Sequence, residues 1–184
     1  MAKVKQLSDE QIVQKVIDGD QEIYAIIVER YEKKLSRYVM RLTNRPEEVD
    51  DVVQDVFIKA YKNLRTFNPK LKFSSWLYRI AHNESINLIK SGWIQRIVSF
   101  EGFWSLTQKE DLEENLDKQA AIKEIERCLQ KIKPKYREPL VLFYFEDKSY
   151  EEISDILRVP TKTVGVRIHR GREKVRNLCK SVKV

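Results

Sequence analysis

The chain has 184 residues, with 35 Lys or Arg against 28 Asp or Glu, for a formal net charge of +7. Hydrophobic residues make up 42%, enough for real cores, while five Gly and five Pro are too few for a turn-rich β chain and suit long helices. The longest apolar run, Leu140 to Phe145, is far short of the ~20 residues of a membrane helix. No apolar stretch follows the N-terminal lysines, so no signal peptide is visible. A soluble, cytoplasmic, largely helical protein without membrane insertion is expected.

Ser8-Asp9-Glu10-Gln11 reads as a capping box opening a short helix with Ile12, Val13, Val16 and Ile17 on one stripe, ending at Gly19. Asp20 is placed to cap a longer helix, in which Ile23, Ile27, Tyr31, Leu35, Tyr38 and Leu42 recur every three or four residues. Asn44-Arg45-Pro46 breaks it. Pro46 suits the first turn of a third helix, where Glu47, Glu48, Asp50 and Asp51 favour the positive N-terminal end. A loop over Asn68 to Lys72 precedes a fourth helix, with Ser74 or Ser75 as its expected cap and Trp76, Leu77, Ile80, Ala81 and Leu88 along its stripe. Four such stripes make a compact helical domain.

Residues 91–117 carry two basic and six acidic residues, with Gly92 and Gly102 and aperiodic aromatics, and read as a linker. From Lys118 the helical period returns through Ile122, Ile125, Leu129 and Ile132 up to Pro134, followed by an apolar helix over Tyr136 to Phe145. Ser149-Tyr150-Glu151-Glu152 is a second capping box, Arg158-Val159-Pro160 a turn, and Thr161 or Thr163 the expected cap of a last helix. Residues 118–184 carry 17 basic and 9 acidic residues, and Glu173 is the single acid after Arg158. Two helices joined by a turn, the second rich in Arg, fit a helix-turn-helix that meets nucleic-acid phosphate. The expected class is all-α, as two small helical domains (1–91 and 118–184) joined by a linker over 92–117.

Cys128, Cys179, His82 and His169 are the only cysteines and histidines, and none fall at the short spacings of a zinc site. No metal or cofactor is expected. The two cysteines read as small apolar residues on helices rather than as a disulfide. The chain has no Walker-type loop, Gly-x-Ser-x-Gly or His-Glu-x-x-His, and its acids and histidines form no catalytic set, so no enzyme is expected.

Two stretches resemble the extracytoplasmic-function group of sigma-70 class sigma factors. One is Asp50-Asp51-Val-Val-Gln54-Asp55-Val-Phe57-Ile-Lys59-Ala60-Tyr61, continuing to Phe67 and Phe73-Ser-Ser-Trp76-Leu-Tyr78-Arg79. The other runs from Ser149 through Pro160-Thr-Lys-Thr163-Val164 to Arg167-Ile168-His169-Arg170-Gly171-Arg172. The resemblance implies a protein that binds core RNA polymerase, directs it to promoter DNA and helps to melt the duplex, and that an anti-sigma protein can restrain. It maps polymerase docking to Asp51, Gln54 and Asp55. It maps the downstream promoter element, with a flipped base, to Lys59, Asn63, Phe67, Asn68, Lys70, Leu71, Lys72, Asn83 and Asn87. Reading of the upstream element falls to Lys162, Thr163, Gly165, Val166, His169 and Arg170, with Arg167 and Arg172 toward phosphates. The sequence departs from the family pattern at Asn87, Lys90, Lys162 and Gly165. The competing reading is a stand-alone helix-turn-helix regulator with an N-terminal dimerisation or sensing domain.

Overall fold

The computed structural model describes residues 7–96 and 116–179. The described residues form α-helices joined by short turns: α1 (Asp9–Ile17), α2 (Tyr24–Thr43), α3 (Val49–Asn63), α4 (Phe73–Arg96), α5 (Leu116–Gln130), α6 (Pro134–Tyr144), α7 (Tyr150–Leu157) and α8 (Thr161–Leu178). Most of the expected linker, residues 97–115, lies outside the described residues. Its edges differ from expectation. Helix α4 runs through Gly92 to Arg96, and α5 begins at Leu116.

Both capping boxes form. The Ser8 hydroxyl accepts the Gln11 N–H while Gln11 reaches back to the Ser8 N–H, and Ser149 and Glu152 do the same for α7. Three expected side-chain caps do not. Asp20 makes no capping bond, because a 3₁₀ turn over Gln21–Ile23 leads into α2. Helix α4 starts at Phe73, before either serine, and its first N–H goes to the Glu10 carboxylate at 3.0 Å, a cap supplied by α1. Helix α8 starts at Thr161, and Pro160 lends its carbonyl to the N–H groups of Thr163 and Val164 instead of a threonine hydroxyl. Asn44 and Arg158 close α2 and α7 in the left-handed conformation, at φ 57° and 51°.

In the N-terminal half, Ile12 and Val13 of α1, Ile27 and Leu35 of α2, Val53 and Val56 of α3 and Leu77 and Ala81 of α4 meet in one core. Each large side chain so buried contributes roughly 1.5–3 kcal/mol. In the C-terminal half, Val141 and Leu142 of α6, Ile153 and Ile156 of α7 and Val164 and Ile168 of α8 do the same.

The halves lie against each other, with α6 and α5 on α2 and α7 on α4. Polar groups make much of this junction. The Tyr38 hydroxyl and His82 Nδ1 both meet Glu138 Oε1, at 2.5 and 2.6 Å. Tyr78 donates to Glu146 Oε2, and Arg41 pairs with Glu126 at 2.9 Å. Burial raises the Glu146 carboxyl pKa, against the opposing pull of Tyr78, Arg41, Arg37 and Lys148. Arg137, 8% exposed, donates to the carbonyls of Leu42, Gln130 and Ile132 and to Gln130 Oε1.

The two cysteines are not independent. Helices α5 and α8 cross where linear spacing gives no hint of it, and Cys128 and Cys179 are joined as a disulfide with Cα atoms 6.2 Å apart.

Arg137→Leu keeps the apolar stem but leaves three main-chain carbonyls without a donor. A loss of about 3 kcal/mol or more in urea unfolding is expected, against under 1 kcal/mol for exposed Arg172→Leu.

Candidate nucleic-acid interface

Helix α3 buries Val49, Val53, Val56 and Ala60 and turns its opposite side to solvent. Asp51, Gln54 and Asp55 stand exposed on that side, at the one-turn spacing that aligns them. Neither carboxylate takes part in a salt bridge among the described residues.

The nine residues expected at the downstream element do not share one condition. Asn83 and Asn87 are exposed one turn apart on α4. In the loop before it, Asn68 Oδ1 accepts the Lys70 N–H at 3.0 Å, the Asn68 carbonyl accepts Leu71 N–H, and Leu71 stands 46% exposed. This Asx turn presents Lys70 and Leu71 outward. Lys59 and Asn63 are exposed but occupied: Lys59 pairs with Glu84, and the Asn63 amide donates to the Lys59 carbonyl at 2.8 Å. Lys72 is paired with Glu152 of the other half at 3.2 Å. Phe67 is buried, with ring contacts to Phe73 and Trp76 at 5.5 and 5.6 Å. As folded, its face is closed to a base; it supports the loop from beneath. Trp76 belongs to that aromatic cluster.

Helix α8 buries Val164, Ile168 and Gly171 against α6 and α7. Lys162, Val166 and His169 form the exposed stripe at its N-terminal end, with Arg170 beside them. Arg172 is exposed further round, and Thr163 and Arg167 are half-buried. Gly165 does not point into this stripe. A Cβ built on it would meet the Tyr150 ring of α7 at 3.5 Å, an ordinary contact distance.

A basic patch not anticipated from sequence continues round from Arg170. Lys131, Lys133, Lys135 and Lys174, with Tyr136, Ile132, Asn177 and Leu178, line an open groove of about 490 Å³ between the α5–α6 turn and α8. The ammonium groups of Lys135 and Lys174 sit 5.0 and 5.5 Å from the centre of the Tyr136 ring. Partial desolvation pushes the Tyr136 phenol up, but Lys135 and a hydrogen bond from Arg170 outweigh it and hold the pKa below its usual value. The signal was present as Lys131-x-Lys133-x-Lys135, a run that a helical period cannot register because it lies across a turn.

An all-helical chain with an acidic face on α3, two exposed asparagines on α4 and a basic helix-turn-helix has the parts of a promoter-reading factor. Residues 27–94 match the model of sigma-70 region 2, and residues 122–175 that of sigma-70 region 4. The chain belongs to the extracytoplasmic-function (ECF) family of RNA polymerase sigma factors, initiation factors that direct the polymerase to promoters and carry no catalytic step of their own. It is 35% identical to the ECF RNA polymerase sigma factor SigW of Bacillus subtilis (strain 168) over 173 residues, which are 89% of this chain and 92% of that protein. It is 32% identical to the ECF RNA polymerase sigma-E factor of Escherichia coli (strain K12) over 182 residues, 94% and 95% of the two chains. Among solved structures, CnrH bound to the cytosolic domain of CnrY superposes at a TM-score of 0.72 over 94% of this chain and 97% of that one, with 24% identity. The sigma factor RpoE of Bartonella quintana, bound to the anti-sigma factor NepR, gives 0.71 over 89% and 97%, with 22% identity. These two show the fold. The reading as a stand-alone regulator falls with the family assignment. No described helix is long and apolar enough to cross a membrane.

The two glycines of α8 are expected to answer differently to alanine. Gly165→Ala fits beside Tyr150 and removes the entropy cost of glycine in a helix, so urea unfolding shows a gain of about 0.5–1 kcal/mol. A Cβ on Gly171 would come within 2.9 Å of Leu140 Cδ1 and 3.0 Å of the Tyr136 carbonyl, which belongs to backbone. Gly171→Ala is expected to lose about 1–3 kcal/mol.

Proposed function

We propose that the two halves divide the work of a sigma factor, residues 1–91 docking on core polymerase and holding the melted downstream element, residues 118–184 reading the upstream element as duplex. The observation that carries this is the exposed Asp51–Gln54–Asp55 face. Two carboxylates and an amide on one side of a helix, with no internal cation among the described residues, suit Arg and Lys side chains on a partner helix.

Base capture falls to the surface that is open. Asn83 and Asn87 offer amides to base edges, and Lys70 offers charge to phosphate. Lys59, Asn63 and Lys72 join them once their present partners are exchanged for DNA. Phe67 acts as the floor beneath the loop, and Leu71 is the exposed apolar group available to lean on a displaced base. Direct upstream reading rests on Lys162, Val166, His169 and Arg170. Gly165 and Thr163 serve the packing of α8, while Arg167, Arg172 and the lysines of the groove hold phosphate. The groove widens the upstream footprint beyond the recognition helix itself. The same surfaces suit restraint by an anti-sigma protein, the arrangement in which RpoE of Bartonella quintana was solved.

Asp51→Arg with Asp55→Arg is expected to abolish co-purification with core polymerase and promoter-specific run-off transcription. Helical circular dichroism should be unchanged, because both side chains are exposed. Retention of the variant on core enzyme at wild-type level overturns the docking assignment.

Lys133→Ala with Lys135→Ala is expected to weaken all promoters alike. The slope of log affinity against log salt should fall by roughly one to two units, about 0.9 per phosphate contact, with upstream sequence preference kept. A changed preference places base contacts, not phosphate contacts, at the groove.

A further inference from the structure

We propose that Cys128 and Cys179 form a reversible thiol–disulfide site, made by a two-electron oxidant of the hydroperoxide class, that clasps the end of α8 to α5. Both cysteines are buried, at 0% and 2% exposure. They link the residue that follows α8 to the end of α5, and α5 is itself held on α2 by the Arg41–Glu126 pair and by Gln130 donating to the Arg41 carbonyl at 2.8 Å. The bond spans 51 residues of sequence, and the ring it closes contains all of α6, α7 and α8.

The site is furnished for the reduced state as well. Glu124 lies one turn before Cys128, with its Oε1 at 4.0 Å from Cys128 Sγ. The main-chain carbonyl of the same residue lies 3.7 Å from Cys179 Sγ. Each thiol therefore has an acceptor waiting, and the pair can exist as S–H groups without leaving a buried donor unsatisfied. Arg127 Nη1, 3.3 Å from Glu124 Oε2, tempers the carboxylate. A bare carboxylate would oppose thiolate formation by like-charge repulsion.

The chemistry balances within the pair. One cysteine attacks the hydroperoxide as its thiolate, and the proton it gives up goes to the leaving oxygen. The O–O bond breaks, the alcohol or water leaves, and the sulfur keeps the hydroxyl as a sulfenic acid. The second thiol then displaces that hydroxyl as water, forming S–S. Two thiols are oxidised by two electrons, and one peroxide is reduced. Cys179 directly follows the last helical residue, its N–H bonded to Val175, so unwinding one turn exposes it to the oxidant. Oxidation removes freedom from the unfolded chain around the recognition helix and stabilises that unit. Reduction loosens it. The exposed stripe from Lys162 to Arg170 is at the other end of α8 and stays open in both states.

The test uses the full chain, reduced with dithiothreitol, desalted without oxygen and treated with hydrogen peroxide. Intact mass should fall by about 2 Da as two hydrogens are lost. The thermal midpoint of the oxidised chain should exceed that of the reduced chain by about 5–10 °C, and dithiothreitol should reverse both changes. Cys179→Ser should show neither change. The wild-type comparison alone carries the result if that variant folds poorly. Three outcomes overturn the proposal: mass gained as oxygen or as a covalent dimer, equal melting of the two forms, or a reduced chain that takes up one zinc ion and is thereby protected from peroxide. The last would make Glu124, Cys128 and Cys179 a metal site.

Discussion

The Arg137 guanidinium is the point on which both halves bear. It ends α5 by taking the carbonyls of Gln130 and Ile132, and it ends α2 by taking that of Leu42. Helix C-termini leave carbonyls that need donors, and here one buried cation serves two helices from different halves. Burial pulls its pKa down to about 10, with the adjacent Glu138 acting the other way, so it remains charged at neutral pH. Its desolvation is costly, and only a near-complete set of acceptors offsets it; the Nε remains without a partner. Glu138, next in sequence, turns to the other side and meets Tyr38 and His82. Two consecutive charged residues on α6 thus fix the angle between the halves, and the apolar clusters fill in around them.

That placement governs what the functional surfaces can offer. Packing α7 on α4 leaves Asn83 and Asn87 open while tying Tyr78 and Ser74 to Glu146 and Lys148. Close approach of α6 to α8 at Gly171 sets how deep the recognition helix sits, and so how far Lys162, Val166 and His169 project. Charge is also apportioned. The α3 carboxylates have no salt bridge among the described residues, whereas Lys59 and Lys72 are already paired. Among the described residues the acidic face of α3 is free of salt bridges, while part of the basic surface is engaged.

Apolar periodicity made the helices legible from sequence, because each buries one stripe, and the two capping boxes marked starts to the residue. The family was legible because two separate motifs stood in order. What escaped was long-range and polar. Nothing near Phe73 announces that Glu10 caps it; Tyr38 reads as one more member of an apolar stripe, and Glu138 and Glu146 look like ordinary surface residues until the fold brings them together. The disulfide was missed for the same reason: a separation of 51 residues carries no spacing rule. Motif position orders Phe67 and Gly165 along the chain but does not say which way each turns: Phe67 lies buried, and a Cβ on Gly165 would face the Tyr150 ring.

Glu152 illustrates how one carboxylate can serve two structures at once. Its Oε2 accepts the Ser149 N–H and begins α7, while its Oε1 holds Lys72 across the junction. Because the first role is built into a helix start, the carboxylate stays in place whether or not Lys72 is attached. A phosphate approaching Lys72 therefore meets an ammonium with a permanent rival 3.2 Å away. Exchange of one anion for another adds little attraction at a distance, since Glu152 already offsets the Lys72 charge before contact. Any polyanion that takes Lys72 has to outcompete a fixed carboxylate by geometry, because the paired ammonium does little to draw it in.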